Sequence, residues 1–147
     1  MDQLEAFLKR YGRNRNARHW LGPRPDVRAK VLPRAIASMV GYPTTEKGET
    51  DELRLQQIER SKAAQVLAWV ATESQAYGRR VPRESHRKEA EAALKEFGDS
   101  AVFFTNFKDL SPSARSFSTK LSDATFDAGL IAYDDRSALI FWAEDED

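Results

Sequence analysis

The apolar positions at the start of the chain recur with the spacing of an α-helix. Four of them stand at i, i+3, i+4 and i+7 and would form one face: Leu4, Phe7, Leu8 and Tyr11. Asp2 followed by Glu5 three residues later is typical of a helix start, and Gly12 is typical of a helix end. The pattern therefore predicts a short helix over residues 2–11.

Residues 13–25 show neither helical nor strand periodicity, and their Asn, Gly and Pro content predicts a loop. Asp26 can cap a second helix. The apolar residues that would face inward are Val27, Val31 and Leu32. Pro33 is expected to break or kink this helix, because proline lacks an N–H and clashes with the preceding turn. The helical pattern then continues to Gly41, and residues 42–48 indicate another loop.

The longest predicted helix covers residues 50–77. Asp51 and Glu52 lie in its first turn, where the helix dipole favours carboxylates. Its apolar stripe is wide enough for packing on more than one side and consists of Leu55, Ile58, Val66, Leu67, Trp69, Val70 and Tyr77. A further helix is predicted over residues 83–97, where one face carries mixed charges, as a solvent-exposed helix surface does.

In the last third of the chain the pattern changes to the alternation of β-strands. Residues 101–107 are rich in aromatic side chains and predict a first strand. Two more strands are predicted over residues 125–134 and 137–143, joined by a short acidic turn. Helices followed by strands indicate the α+β class. We therefore expect about four helices packed on a small antiparallel sheet of about three strands.

A length of 147 residues suits one domain, which would bury about 68–70% of its unfolded surface. Residues 1–98 would be mainly helical and residues 99–147 mainly β. Six large apolar side chains are the core candidates: Trp69, Phe103, Phe104, Leu130, Ile140 and Phe141. The expected architecture is thus a single domain over residues 1–147.

The composition narrows the class of protein. The chain is 41% hydrophobic and 31% charged, as ordinary globular proteins are. It contains no cysteine, which excludes disulfides, thiolate metal sites and a cysteine nucleophile. The first residues lack the apolar core of a secretory signal, and no apolar run approaches the ~18 residues of a membrane span. We expect a soluble cytoplasmic protein with no membrane partner.

The net charge of zero hides a strong polarity along the chain. Residues 1–40 hold nine Lys or Arg and three Asp or Glu, a net charge of +6. Residues 99–147 hold four basic and ten acidic residues, a net charge of −6. Such asymmetry is consistent with a polyanion-binding arm, a cationic partner, or pairing of the two regions within the fold.

Candidate catalytic chemistry is sparse. The two histidines, His19 and His86, lack the neighbouring ligands that a metal site requires. Asp123 and Asp127 can in principle combine with the later carboxylates into a divalent-metal site, but turn and strand-entry chemistry explains these residues. Neither a nucleophile motif nor a glycine-rich phosphate loop occurs. The sequence therefore predicts no catalytic residues, no metal and no cofactor.

The basic segment supports one function hypothesis, binding of RNA or DNA. Its candidate residues combine cations for phosphates with an aromatic side chain for base stacking: Arg13, Arg15, Arg18, Trp20 and Arg24. More arginines and a lysine follow as far as Arg34. No recognised nucleic-acid-binding motif accompanies this charge. It is the alternative hypothesis.

The acidic end of the chain supports the leading hypothesis, binding of a basic protein. The candidate partner-binding residues are Asp123, Asp127, Tyr133, Asp134, Asp135, Trp142, Glu144, Asp145, Glu146 and Asp147. The final carboxylates follow directly from an apolar strand, so they would be held near the sheet. With the acidic turn they would form one rigid negative edge, which suits capture of a cationic surface. Tyr133 and Trp142 would be aromatic anchors.

The stretch SDATFDAGLIAYDDRSALIFWAEDED, residues 122–147, resembles the ends of bacterial immunity proteins from polymorphic and contact-dependent toxin systems. These proteins bind and silence a cognate toxin, often a nuclease. The resemblance implies a non-enzymatic, antitoxin-like inhibitor of a basic toxin, and it assigns no individual binding position. The sequence leaves the partner's identity and the oligomeric state open.

Overall fold

The computed structural model describes residues 1–13, 17–43, 55–73, 81–109, 116–117, 121–122, 124 and 126–145. The helices are α1 (Asp2–Gly12), α2 (Leu32–Ser38), α3 (Arg60–Thr72) and α4 (Glu84–Leu94), and a 3₁₀ turn (Ala29–Val31) precedes α2. The strands are β1 (Ala17–Pro23), β2 (Gln56–Ile58), β3 (Val102–Thr105), β4 (Phe107–Asp109), β5 (Ser116–Phe117), β6 (Phe126–Tyr133) and β7 (Ser137–Asp145). Within these ranges no helix is long and apolar enough to cross a membrane.

The fold is α+β, as the sequence predicts, but its main sheet is larger than expected. Five antiparallel strands lie in the order β1-β7-β6-β3-β2, and β4 and β5 form a separate pair. The prediction of about three strands captures β3, β6 and β7. The two edge strands come from segments before residue 99, so the first two thirds of the chain are not purely helical.

The predicted loop over residues 13–25 contains β1, which pairs with β7 from Ala17 opposite Ala143 to Pro23 opposite Ser137. All but two of its residues are partly buried. The strand therefore lacks the regular alternation of buried and exposed positions that would mark it in the sequence. Pro23 at its end is tolerated because an edge strand does not need every N–H for pairing. The sequence pattern does not predict this strand, because the rest of the fold buries its residues only in part.

The predicted helix over residues 50–77 is also corrected. Residues 56–58 form β2, which pairs with β3 so that Ile58 lies opposite Phe103. The helix itself, α3, begins at Arg60 and ends at Thr72. Residues 50–54 and 74–77 lie outside the described residues. Pairing with a strand that lies far along the chain here overrides the helical pattern.

The second helix begins later than predicted. α2 starts at Leu32 with Pro33 in its first turn, where the missing N–H costs nothing because that N–H would lack a helical partner. Pro33 therefore opens this helix and does not break one that starts at Asp26. Val27, expected to face inward, is 42% exposed.

The main sheet is buried on both faces. Leu139 and Phe141 of β7 face the cluster formed with α1, α3 and α4. The intervening Ile140 and Trp142 face a second cluster with α2 and Tyr42. Five of the six core candidates are buried, and the exception is the partly buried Phe104. Burial on both faces explains the nearly continuous apolar sequence of β7.

Candidate protein-binding surface

The acidic residues predicted to form one edge lie at opposite ends of the β6–β7 hairpin. Asp134 and Asp135 occupy the turn, whereas Asp127 pairs with Glu144 at the far end. At ~3.4 Å per residue, the seven steps from Ser137 to Glu144 span about 24 Å. Asp123, Glu146 and Asp147 lie outside the described residues. The described carboxylates therefore form two separate groups.

Asp127 is predicted to contact a partner, but its side chain is completely buried. Its carboxylate accepts hydrogen bonds from the backbone N–H groups of Leu121 and Ser122, the nearest at 2.7 Å, and from the Ser122 hydroxyl at 2.8 Å. The indole N–H of Trp142 donates to Asp127 Oδ1 at 2.8 Å. Asp127 thus fastens the chain before β6 to the hairpin.

The two predicted aromatic anchors are also inside the protein. Trp142 is completely buried in the second cluster, and Tyr133 is only 8% exposed. Tyr133 stacks on Phe104 with ring centroids 6.0 Å apart, and the Arg24 guanidinium lies 5.0 Å from its ring centroid. Neither aromatic side chain can anchor a partner without a change in the fold.

At the far end of the hairpin, the basic and acidic parts of the chain meet. Tyr42 donates its phenol proton to Glu144 Oε2, and Arg18 Nε lies 3.6 Å from the same oxygen. The Arg18 guanidinium also stacks 4.4 Å from the Tyr42 ring centroid. Gly41, with φ of +83°, ends the α2 region in the left-handed conformation and leads into Tyr42. Half-buried Asp145 follows Glu144 at the end of β7.

The surroundings of Tyr42 favour its neutral form. Burial raises the pKa of the phenol, and the hydrogen bond and negative charge of Glu144 raise it further. The Arg18 cation lowers the pKa by less than these effects raise it. Charge pairing inside the fold therefore accounts for part of the sequence polarity at this end.

The basic residues proposed to bind nucleic acid do not form one exposed platform. Arg24 donates to the backbone carbonyl of Asp134 at 3.2 Å, in addition to its stacking on Tyr133. Trp20 is half-buried against the second cluster. Arg13 is exposed just after α1, and Arg15 lies outside the described residues. The structure uses Arg18 and Arg24 to attach β1 to the hairpin.

At the turn end, Asp134 holds a fixed geometry. Its Oδ1 accepts from the N–H groups of Arg136 at 2.9 Å and Ser137 at 2.8 Å, while its Oδ2 accepts from Gly98 N–H at 2.9 Å. Burial by itself raises the pKa of Asp134, but these three backbone hydrogen bonds outweigh it and lower the pKa overall. The turn is consequently fixed to the segment after α4.

An open cleft of about 400 Å³ lies beside this turn. We call it the acidic cleft; its lining residues are Met1, Glu96, Gly98, Ser100, Asp134, Asp135, Arg136 and Ser137. The Glu96 carboxylate accepts a hydrogen bond from the Leu4 N–H and lies 3.7 Å from the N-terminal amine. These two contacts join α1 to the cleft. Asp135 is exposed, and its carboxylate forms no hydrogen bond or ion pair within the described part of the chain.

Further carboxylates lie close in the chain to residues that line the acidic cleft or contact its lining. Exposed Asp2 and Glu5 lie in the first turn of α1, next to the residues that contact Glu96. Asp99 follows Gly98 in the chain. These residues come from two separate segments, α1 and the stretch after α4, and no local motif connects them. Only the packing of α1 and α4 beside the hairpin reveals the surface.

The two histidines lie apart from this surface. His19 stacks on Phe141 with ring centroids 6.1 Å apart, and burial lowers its pKa. His86 contacts the edge of Tyr11 with ring centroids 6.0 Å apart. In the ranges that the structure describes, no group of three His, Asp or Glu side chains is arranged to hold a metal ion.

No protein-family model, curated protein or solved structure matches this chain.

Proposed function

We propose that this protein is a non-enzymatic inhibitor of the immunity type, which binds a basic protein toxin through the acidic cleft. The observation that carries the proposal is the exposed carboxylate of Asp135 on a turn that Asp134 holds rigid, beside an open cleft. A cationic side chain of the partner would enter the cleft and pair with Asp135.

Preorganisation makes this surface suitable for recognition. The backbone hydrogen bonds to Asp134 fix the turn before a partner arrives, so binding costs little conformational entropy there. The exposed carboxylates of Asp2, Glu5 and Asp99 lie close in the chain to residues that line the cleft or contact its lining, and their negative potential would accelerate encounter with a cationic surface and disfavour acidic partners. Two described cationic groups line the cleft, the Arg136 guanidinium and the N-terminal amine of Met1, and the amine pairs with Glu96.

This proposal moves the interface from the chain end to the hairpin turn. Glu144 already contacts Tyr42 and Arg18, and Asp127 is buried, so these two described carboxylates at the far end of the hairpin are used inside the fold. The alternative, nucleic-acid binding through residues 13–34, is supported less well because Arg18, Trp20 and Arg24 are occupied in the fold.

The direct test is binding and neutralisation of the protein encoded by the neighbouring gene. The two proteins would be purified and mixed, and calorimetry would measure their affinity while a growth or nuclease assay measures neutralisation. Asp135→Asn removes a charge without changing side-chain shape, and we expect it to weaken binding about tenfold, or ~1.4 kcal/mol. High salt should slow association.

Glu84→Gln is the matched control. Glu84 lies at the start of α4, away from the acidic cleft at the other end of that helix, and its exposed ion pair with Arg87 contributes little to stability. Equal affinities for Asp135→Asn and the unmodified protein would refute the cleft as the interface. Absence of any complex with the neighbouring gene product would refute the immunity-type function.

A further inference from the structure

A second surface lies on the other side of the sheet, along the 3₁₀ turn and α2. An open groove of about 250 Å³ is lined there by Arg28, Val31, Arg34, Ala35 and Ser38. We call it the basic groove. Four of its residues follow one another at intervals of three or four positions, as residues on one side of a helical segment do: Arg28, Val31, Ala35 and Ser38. The opposite face of α2 packs Leu32, Ile36 and Ala37 into the second cluster.

All the charged side chains of this segment are positive. Residues 27–43 contain Arg28, Lys30 and Arg34 but no Asp or Glu. Arg28 is exposed, and within the described ranges its guanidinium forms no ion pair. The two arginines of the basic groove stand on either side of Val31 in the sequence. The segment therefore presents cations around an apolar floor.

Exposed apolar side chains adjoin the first and last lining residues in the sequence. Val27 is 42% exposed and precedes Arg28, while Met39 is 49% exposed and follows Ser38. Only two other large apolar side chains in the described ranges are exposed, Met1 and Val81. Exposed methionine is favoured at surfaces that accept varied apolar partners, because its side chain is flexible and polarisable.

We propose that the basic groove is a docking site for an acidic, amphipathic peptide segment of a partner protein. A carboxylate of the segment pairs with Arg28, while its apolar side chains cover Val31 and Ala35. The groove is smaller than the ~300 Å³ at which small-molecule pockets begin, which favours individual side chains over a compact ligand. None of its lining residues is aromatic, so it lacks the stacking surface that single-stranded nucleic acid uses.

This proposal is independent of the inhibitor function, because it concerns a different surface and the opposite charge. The test is selection of a phage-displayed random peptide library on the immobilised full-length protein. Selected peptides would be synthesised, labelled with a fluorophore and titrated by fluorescence anisotropy. We expect them to combine Asp or Glu with Leu, Phe or Met. Arg28→Glu should weaken their binding about tenfold or more, since it replaces attraction by repulsion.

Arg83→Glu is the matched control, because Arg83 is also an exposed arginine and precedes α4, which packs on the other face of the sheet. Its variant should bind the peptides as the unmodified protein does. Met39→Ser should weaken binding less than Arg28→Glu and separates the apolar contribution from the ionic one.

Three results would overturn the proposal. The first is a selection that enriches no acidic peptides, or peptides whose binding is unchanged by Arg28→Glu. The second is binding of a labelled single-stranded oligonucleotide, lost in Arg28→Glu, without acidic peptide binding; the groove would then be a phosphate site. The third is self-association in sedimentation velocity that Arg28→Glu abolishes, which would make a second copy of the chain the occupant.

Discussion

The indole N–H of Trp142 donates to Asp127 Oδ1 at 2.8 Å, and both side chains are completely buried. The carboxylate receives its other hydrogen bonds from uncharged donors of Leu121 and Ser122. A buried polar group that loses such partners pays the cost of its lost hydration. Asp127 and Trp142 therefore hold the hairpin and the preceding segment together, and the acidic sequence here serves stability.

Asp127→Asn should destabilise the protein by about 3 kcal/mol. The NH₂ group of the asparagine amide would face N–H and O–H donors that now form hydrogen bonds with the carboxylate. The measurement is urea unfolding followed by far-UV circular dichroism. Asp135→Asn, the same substitution at an exposed position, should change the free energy of unfolding by less than about 0.5 kcal/mol. Equal effects at the two positions would contradict the role assigned to Asp127.

The stability supplied by Asp134 should depend on pH in the acidic range. The folded protein lowers the pKa of this carboxyl below its ordinary value of 3.8, so its contribution is fully present above that pH. The contribution is lost as the pH falls through the lowered value. Asp134→Asn should therefore be less stable than the unmodified protein at pH 7, and the difference should shrink below about pH 4.

Unfolding free energies of these two proteins across the acidic range provide the measurement. If the difference in unfolding free energy between the two proteins stays constant down to pH 2, the assignment is contradicted, because an effect that does not depend on the charge of Asp134 does not change with pH.

Tyr42 should make the fold sensitive to alkaline pH. Its pKa is raised above the ordinary value of 10.0, so its stabilising contribution is complete below pH 10 and is lost at higher pH. Glu144→Gln removes the negative charge beside the phenol and should lower the pH at which Tyr42 ionises. The ultraviolet absorbance of tyrosinate measures this, and Tyr42→Phe identifies which of the four tyrosines is responsible.

Tyr42→Phe should also lose about 1–2 kcal/mol of stability at neutral pH, since Glu144 would lose its phenol donor. Unchanged tyrosinate titration in Glu144→Gln would show that the contact does not control the phenol.

Gly129 should be intolerant of any side chain. A Cβ there would lie 2.2 Å from the Phe141 carbonyl oxygen and 2.8 Å from Trp142 Cα, both backbone atoms of β7. Gly129→Ala should consequently cost about 2–3 kcal/mol or prevent folding, because the adjacent strand must move. At Gly98 a Cβ would meet only Asp134 Oδ2, at 3.7 Å, so Gly98→Ala is the control.

Thermal unfolding of the two glycine variants tests this difference. Comparable melting temperatures for Gly129→Ala and Gly98→Ala would refute the close approach of β6 and β7 at this position.

The sequence by itself determined the elements whose pattern is locally complete. α1 is predicted within a residue of its bounds, because its apolar face, first-turn carboxylates and final glycine all lie within the helix. The β6–β7 hairpin is predicted for a similar reason, since two apolar runs flank one acidic turn. In both cases the residues that stabilise the element are its neighbours in the chain.

Tertiary structure alone decided the edge strands, the burial of Asp127 and the acidic cleft. Ala17 pairs with Ala143, and Met1, Glu96 and Asp135 line one cleft only because α1 and the segment after α4 lie beside the hairpin. The sequence does not distinguish a carboxylate that accepts hydrogen bonds from buried N–H groups from one that faces water. Which of these it does depends on partners that are distant in the chain, and only the folded packing brings those partners together.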